Sequence, residues 1–287
     1  MSFDIYVMLS ALVLGLLVGS FLNVVIYRLP QIMMADWRNE CRVFLAEKAG
    51  EEVKEEEQEV FNLSLPRSHC PKCKAMVKAW QNIPIISYII LRGRCHHCGV
   101  HISLRYPIIE LISGLLSLFI AAYFGYSLEL GLALVFTWSL IALTMIDIDH
   151  QLLPDDIVMP LMWLGLLVNT QGIFASPIDA IYGAAAGFLT LWAIYWAFKL
   201  LTKKEGMGRG DFKLLAALGA WMGWQLLPMV ILLSSIVGAV IGIAGILIYG
   251  KDKNIPIPFG PYLAIAGWIA FFWGEDITSL YLQVMVG

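Results

Sequence analysis

Residues 130–150 read LGLALVFTWSLIALTMIDIDH. From Leu130 to Ile146 no residue is charged, and the run then ends on Asp147, with Asp149 and His150 just beyond it. Crossing about 30 Å of hydrocarbon takes roughly 20 apolar residues in a helix. Working outward, seven further runs have this character: Ile5–Tyr27, Ile108–Leu128, Ile157–Ile173, Ile178–Leu201, Phe212–Leu226, Leu227–Tyr249 and Pro261–Trp273. The runs at Phe212–Leu226 and Pro261–Trp273 are short, so tilted, broken or partly re-entrant segments are expected there. The chain is 59% hydrophobic and only 14% charged, with a mean hydropathy of +0.75. That composition excludes an ordinary soluble domain. The net charge of −3 gives no reason to expect a nucleic-acid partner. The first run reads as a retained span and not as a cleaved signal, because no basic residue precedes it and it is too long for an h-region.

Orientation follows from where Lys and Arg sit. Twelve lie between Arg28 and Arg105, five from Lys199 to Lys213, and Lys251 and Lys253 complete the set of 19. With eight spans, all of these loops fall on one side and the loops opposite carry none. By the positive-inside rule that side is the cytoplasm, and both termini are periplasmic. The same count puts the Asp147–Asp156 loop on the cytoplasmic side.

Residues 29–106 form the sizeable polar segment. Its first half holds an acidic stretch, Glu47 to Glu59, which reads as a solvated helix or insert. Its second half carries two pairs, Cys70-Pro-Lys-Cys73 and Cys95-His-His-Cys98. A C-x-x-C knuckle lets two thiolates and nearby amides wrap a tetrahedral ion, and two knuckles complete a four-cysteine zinc-ribbon site. Cytoplasmic placement argues against structural disulfides. His69, His96, His97 and His101 are possible substitute ligands that a double knuckle does not need. A fully ligated ion is structural, and it staples a segment too small for a good core. Cys41 is left over as a buried or inert thiol.

Carboxylates at span ends are costly and usually functional. Asp147 ends an apolar run where no solvated aspartate is needed. Asp149 and His150 read as interfacial or supporting groups, and Asp155 and Asp156, following Pro154, read as helix caps. A second carboxylate, Asp211, closes Gly206-Met-Gly208-Arg-Gly210-Asp211 at the mouth of the sixth run. Glycines there allow close backbone approach and unusual backbone angles. Two aspartates brought together in a partly dry site cannot both ionise. They share a proton, so one can act as base toward water while the other donates, which hydrolyses a peptide without a metal.

Taken together these features resemble the type IV prepilin peptidases, also called prepilin leader peptidase/N-methyltransferases. The resemblance rests on Gly19–Pro30, the two cysteine pairs, Arg105-Tyr-Pro-Ile-Ile-Glu110, Asp147–Asp155, Gly208-Arg-Gly-Asp211 and Pro256-Ile-Pro-Phe-Gly-Pro261 in that order. It implies that Asp147 and Asp211 are the catalytic pair, with Gly208, Gly210 and Asp149 supporting. It further implies cleavage of a short basic leader after a glycine, on precursors of type IV pilins and type II secretion pseudopilins. Methylation of the new N-terminal amine with S-adenosylmethionine would follow, associated with the region from about 15 to 110.

The expected fold is an all-α polytopic membrane protein of about eight transmembrane helices with a cytoplasmic four-cysteine zinc-ribbon-like insertion, in the bacterial inner membrane among its lipids. Residues 1–28 are the first helix, 29–106 the zinc-binding segment and 107–287 the peptidase bundle. A peptidase lacking the methyltransferase is the near alternative. A membrane thiol oxidoreductase is the alternative of another class, disfavoured because the charge map puts the cysteines in the cytoplasm. An ion-coupled transporter would favour mid-bilayer carboxylates and two-half symmetry, which the sequence lacks.

Overall fold

The computed structural model describes residues 3–50, 61–204, 206–249 and 258–286. Most of the acidic stretch, Lys251, Lys253, and Pro256 and Ile257 of the Pro256–Pro261 motif lie outside the described residues. Among the described residues there are helices and no strands. They are α1 (Phe3–Ala49), a 3-10 turn at Ala79–Asn82, α2 (Ile86–Ile90), α3 (Arg105–Phe124), α4 (Leu128–His150), α5 (Asp155–Asn169), α6 (Pro177–Thr202), α7 (Arg209–Met222), α8 (Leu227–Tyr249) and α9 (Gly260–Val286). Each of the eight apolar runs has its own helix, although α5 and α7 stop short of the ends of theirs, and α9 is not short or broken but runs on past Trp273 to Val286. Among the described residues five helices, α1, α3, α4, α6 and α8, are long and apolar enough to cross a membrane, so the protein is multi-pass. The helix of the first run does not stop at Arg28. It continues through Pro30 to Ala49.

The chain forms two compact units, Met1–Trp138 and Ser139–Gly287. In the first, α1 and α3 pack through small residues, as helices do when lipid supplies no hydrophobic drive between them. A side chain at Gly15 would run into the Ser117 hydroxyl, and one at Gly19 would come within 2.8 Å of the Glu110 Cα. The close approach lets Ser113 Oγ donate to the Gly15 carbonyl at 2.6 Å. Trp138 Nε1 in turn donates to Ser117 Oγ at 3.1 Å.

The second unit is built around α7, which is buried along nearly its whole length from Asp211 to Met222. At about 1.5 Å per residue its 14 residues reach about 21 Å, short of the hydrocarbon thickness. An interior helix meets protein and not lipid, so small residues suit it. Gly183 of α6 and Gly219 of α7 meet backbone to backbone, each leaving no room for a Cβ on the other. Trp221 lies over Gly165 of α5 and donates to the Leu161 carbonyl at 2.8 Å. Asn169 closes the far end of α7. Its amide donates to the Ala220 and Trp221 carbonyls at 2.8 and 3.0 Å, and its oxygen accepts from the Phe174 and Ala175 N–H groups. Leu218 of α7 fills the space left by Gly267 of α9.

The α6–α7 contact yields a stability prediction. Gly219→Leu must separate two backbones, and should cost about 1–3 kcal/mol or more by overpacking. Gly131→Ala, where an added Cβ meets nothing within 4 Å, should be neutral or stabilise by about 0.5–1 kcal/mol through helix propensity. Thermal melting of the detergent-solubilised variants checks this, and equal melting temperatures would refute the back-to-back packing.

Candidate active site and metal centre

Asp147 occupies the last turn of α4 and is 5% exposed. The helix stops just after it because Gln151 adopts a left-handed φ of 51°, with the Gln151 N–H returning to the Asp147 carbonyl at 2.9 Å. The Asp147 carboxylate has a partner within the protein. Its Oδ2 accepts the N–H of Gly260, at the first residue of α9, at 3.0 Å. Asp211 is equally buried, in the first turn of α7, and its carboxylate accepts the backbone N–H of Gly208 at the N-cap. The Asp147 charge acts directly on Asp211. Each carboxylate thus takes a backbone N–H from a helix start, where orphan donors and the positive end of the helix dipole favour anions.

Leu153 joins the parts. A Cβ at Gly210 would lie 2.8 Å from the Leu153 Cβ, and one at Gly260 would lie 2.7 Å from Asp147 Oδ2 and 3.2 Å from Leu153 Cδ1. The glycine-rich loop therefore serves close approach and not unusual angles, since none of Gly206, Gly208 and Gly210 has a positive φ. At Gly208 an added Cβ would meet only Asp211 Oδ2, at 3.5 Å.

Asp149 and His150 are exposed, so of the two aspartates at the end of α4 it is Asp147 that is buried, as Asp211 is. Asp155 and Asp156 occupy the first turn of α5, and the N-cap position itself is Pro154. Their favourable place is thus relative to the helix dipole and not as side-chain caps. Asp155 also makes a close ion pair with Lys213 of α7, at 2.7 and 2.8 Å. Sequence reasoning assigned no role to Gly260 or Leu153. The Phe259-Gly260-Pro261 sequence was the available signal, because Pro just inside a helix start marks where orphan N–H groups are presented.

The cysteine segment belongs to the first unit. Its two knuckles repeat one another. In the first, the Cys70 N–H bonds the Ala75 carbonyl at 2.9 Å and the Lys74 N–H bonds the Cys70 carbonyl at 2.9 Å. In the second, the Cys95 N–H bonds the Val100 carbonyl at 2.8 Å and the Gly99 N–H bonds the Cys95 carbonyl at 2.9 Å. The residue after each second cysteine, Lys74 or Gly99, takes a left-handed φ of 57° or 69°. All four sulfurs lie within 4.8 Å of one another, with Cys70–Cys98 at 3.8 Å and Cys73–Cys95 at 4.0 Å. Sulfurs bound at about 2.3 Å to a tetrahedral ion stand about 3.8 Å apart, so the cluster could hold a metal with these four ligands and no histidine. The backbone N–H of Cys73 brings the Cys70 thiol down to about 6. Although the Ala75 N–H stabilises the Cys73 thiolate, burial and the adjacent sulfurs push its thiol up to about 11. Four crowded sulfurs resist ionising together, and a cation removes that conflict.

Above this segment, the guanidinium of the buried Arg28 donates to the carbonyls of Asn62, Leu63 and Pro66 at 2.9, 3.4 and 2.6 Å. It also lies over the Phe61 ring. The end of the first apolar run, within α1, is thereby tied to the start of the cysteine segment.

Residues 13–124 match the bacterial peptidase A24 N-terminal domain, and residues 134–243 match the type IV leader peptidase family. Over 278 residues the chain is 58% identical to a prepilin leader peptidase/N-methyltransferase of Stutzerimonas stutzeri, covering 96% of this chain and 93% of that protein. It is 54% identical over 275 residues to one of Pseudomonas aeruginosa, at the same coverage. With one of Aeromonas hydrophila the identity is 53% over 268 residues, covering 93% and 91%. No solved structure matches the chain. Two juxtaposed helix-end aspartates, a double cysteine knuckle and near full-length similarity to these enzymes make the chain a member of the type IV leader peptidase family.

Proposed function

We propose that this protein cleaves the leader of type IV prepilins and type II secretion pseudopilins and then N-methylates the newly exposed residue. The observation that supports the peptidase half is that Asp147 and Asp211 are both buried, each held by a backbone N–H at a helix start, with Leu153 packed against both Gly210 and Gly260. In this reading the dyad carries one proton. One aspartate takes a proton from water as it attacks the scissile carbonyl, and the other protonates the carbonyl oxygen or the departing amine. Gly210 lets the two helix ends approach, and Gly208 anchors Asp211. Asp149 supports from the exposed end of α4. Cleavage after a glycine of a basic leader is the substrate rule that the family resemblance supports. The segregation of Lys and Arg supports an inner-membrane protein with the dyad toward the cytoplasm and both termini periplasmic. Residues 1–28, 29–106 and 107–287 then act as the first span, the metal-binding segment and the peptidase bundle.

Zinc is the ion we assign to Cys70, Cys73, Cys95 and Cys98, since the four thiolates and their spacing fit a tetrahedral structural site. It holds the small polar segment together and takes no part in hydrolysis. S-adenosylmethionine is the methyl donor, and the region from about 15 to 110 serves that reaction.

Asp147→Asn and Asp211→Asn should each abolish cleavage of a peptide with a basic leader, Gly, Phe and an apolar helix. Products are read by mass. The double variant should be no worse than either single one, because residues acting as a unit are strongly non-additive. Near-parental cleavage by Asp211→Asn would sink the dyad. Asp155→Asn removes only a partly exposed ion pair, so it should cost about 0–1 kcal/mol of stability and leave most activity.

The cysteine site predicts one zinc per chain by elemental analysis. Cys70→Ser or Cys95→Ser should lose the metal and open residues 66–106 to proteolysis, because metal binding is folding free energy for so small a segment. Full metal content in those variants would refute the site. Reporter fusions test the orientation. Those after Arg105 and Lys204 should read cytoplasmic and those after Gly287 periplasmic, and a cytoplasmic C-terminus would overturn the eight-span count.

A further inference from the structure

In the first unit, Glu110 is a buried acid that the peptidase chemistry does not use. It stands in α3 against α1, and is 8% exposed. Its Oε2 accepts the Ile85 N–H at 2.8 Å, and the Ser20 hydroxyl also donates to the carboxylate. These are two of about four lone-pair sites. Among the described residues no cationic side chain pairs with it. The nearest buried guanidinium along α1, Arg28, is committed to the carbonyls of Asn62, Leu63 and Pro66. Buried carboxylates in or beside a membrane are normally paired, whereas Glu110 has no counter-cation among the described residues.

Its neighbours are acceptors too. Asn23 is buried one helical turn along α1 from Gly19, whose Cα faces Glu110. The Asn23 amide nitrogen donates to the Gly19 and Tyr106 carbonyls, both at 3.2 Å, which leaves its side-chain oxygen as a further acceptor. A group that satisfies such a site carries positive charge and several hydrogens to donate. A primary ammonium does so, whereas a sulfonium has no donor hydrogen.

The backbone over this site is strained. Ile85 has φ 59° and ψ −49°, and the Ile86 N–H reaches back to the Pro84 carbonyl at 2.5 Å. A three-residue turn of this hand is rare, and for a β-branched residue it is costly. The Glu110 carboxylate on the Ile85 N–H holds it in place. Strain of this kind persists where surrounding contacts over-determine it, and it concentrates at ligand sites. Beside it Phe21 of α1 and Ile108 and Ile112 of α3 are exposed, a lipid-facing surface along which an apolar helix can lie.

We propose that Glu110, with Asn23, binds the α-ammonium at the head of the cleaved apolar helix and takes its proton for methylation. This rests on the methyltransferase half of the proposed function. When bound, S-adenosylmethionine supplies an electrophilic methyl group on a sulfonium. The ammonium gives a proton to a remaining lone pair of the Glu110 carboxylate. The amine lone pair then forms the new N–C bond as the methyl C–S bond breaks, its electron pair staying on sulfur. The products are a secondary ammonium, a thioether and a protonated Glu110, which returns its proton to water.

The test is equilibrium binding of a pre-cleaved peptide, with Phe at its N-terminus and an apolar helix behind, to the full-length protein without methyl donor. The free amine should bind about tenfold or more tighter than its Nα-acetylated twin, as expected for a charge-assisted bond. In Glu110→Gln that preference should vanish while the acetylated peptide binds as before, and metal content and thermal melting report whether the variant is folded. Glu110→Asp should retain part of the preference. If the parental protein does not distinguish the two peptides, or Glu110→Gln still does, the assignment of Glu110 is overturned, whatever the variants' stability. Methylation is scored separately, by mass gain with S-adenosylmethionine present. No mass gain alongside an intact, Glu110-dependent amine preference would overturn the methyltransferase reading and leave the ammonium site standing.

Discussion

The Asp147 carboxylate lies inside a bundle of apolar helices, and the backbone N–H of Gly260 is its hydrogen-bond donor. That contact governs much of the second unit. A carboxylate taken from water needs partners of fixed geometry. A backbone amide at the start of a helix is fixed by the helix itself, and brings the helix dipole with it. The approach is close enough that no side chain fits at residue 260, and Leu153 shares the same space with Gly210. The start of α9, the end of α4 and the start of α7 therefore converge, and their convergence puts the second aspartate within reach of the first.

Such convergence requires α7 to be central. A helix that begins at a buried carboxylate and is surrounded by protein cannot rely on apolar bulk, because each neighbour must come near its backbone. The Gly183–Gly219 contact, the indole of Trp221 over Gly165 and Leu218 in the space at Gly267 are three solutions to one problem. Asn169 solves its counterpart at the other end, where the last carbonyls of α7 face protein and must find donors there. A helix of only 14 residues is tolerable in a membrane because the longer α6, α8 and α9 present apolar surface to lipid on its behalf.

Much of this could be read in the sequence, because hydropathy and charge placement act through the bilayer, which is the same for every chain. The eight apolar runs became eight helices, and the family resemblance pointed to Asp147 and Asp211, two aspartates that are both buried. The two knuckles were legible because four thiolates and a short loop determine their own geometry. What could not be read was long-range backbone contact. Nothing in Phe259-Gly260-Pro261 by itself says that its amide reaches a side chain 113 positions away. Nor does Gly219 announce Gly183. The extension of α1 to Ala49 was hidden for a different reason. Pro30 and the polar residues after it suggest an exit from helix, but a proline removes a single N–H, and the remainder of Gln31–Ala49 consists largely of good helix formers that need no membrane.

The same logic explains why the first unit joins a metal-type cluster to a membrane helix. Residues 61–104 contain little regular structure beyond one short helix and a 3-10 turn, so their position has to be imposed from outside. The knuckles set the internal shape of the segment. Arg28 sets its attachment, exchanging three water contacts of a guanidinium for the carbonyls of Asn62, Leu63 and Pro66. A rigid, planar donor is suited to this, since carbonyls held at fixed spacing lose little further entropy on binding it. Midway along the segment the Glu110 carboxylate holds Ile85 in a conformation that the isolated peptide would avoid. The segment is thus fixed near its start by one cation on α1 and at its middle by one anion on α3. Arg28 meets carbonyls and Glu110 meets the Ile85 N–H and the Ser20 hydroxyl, which leaves lone pairs of the anion that no cationic side chain among the described residues takes up.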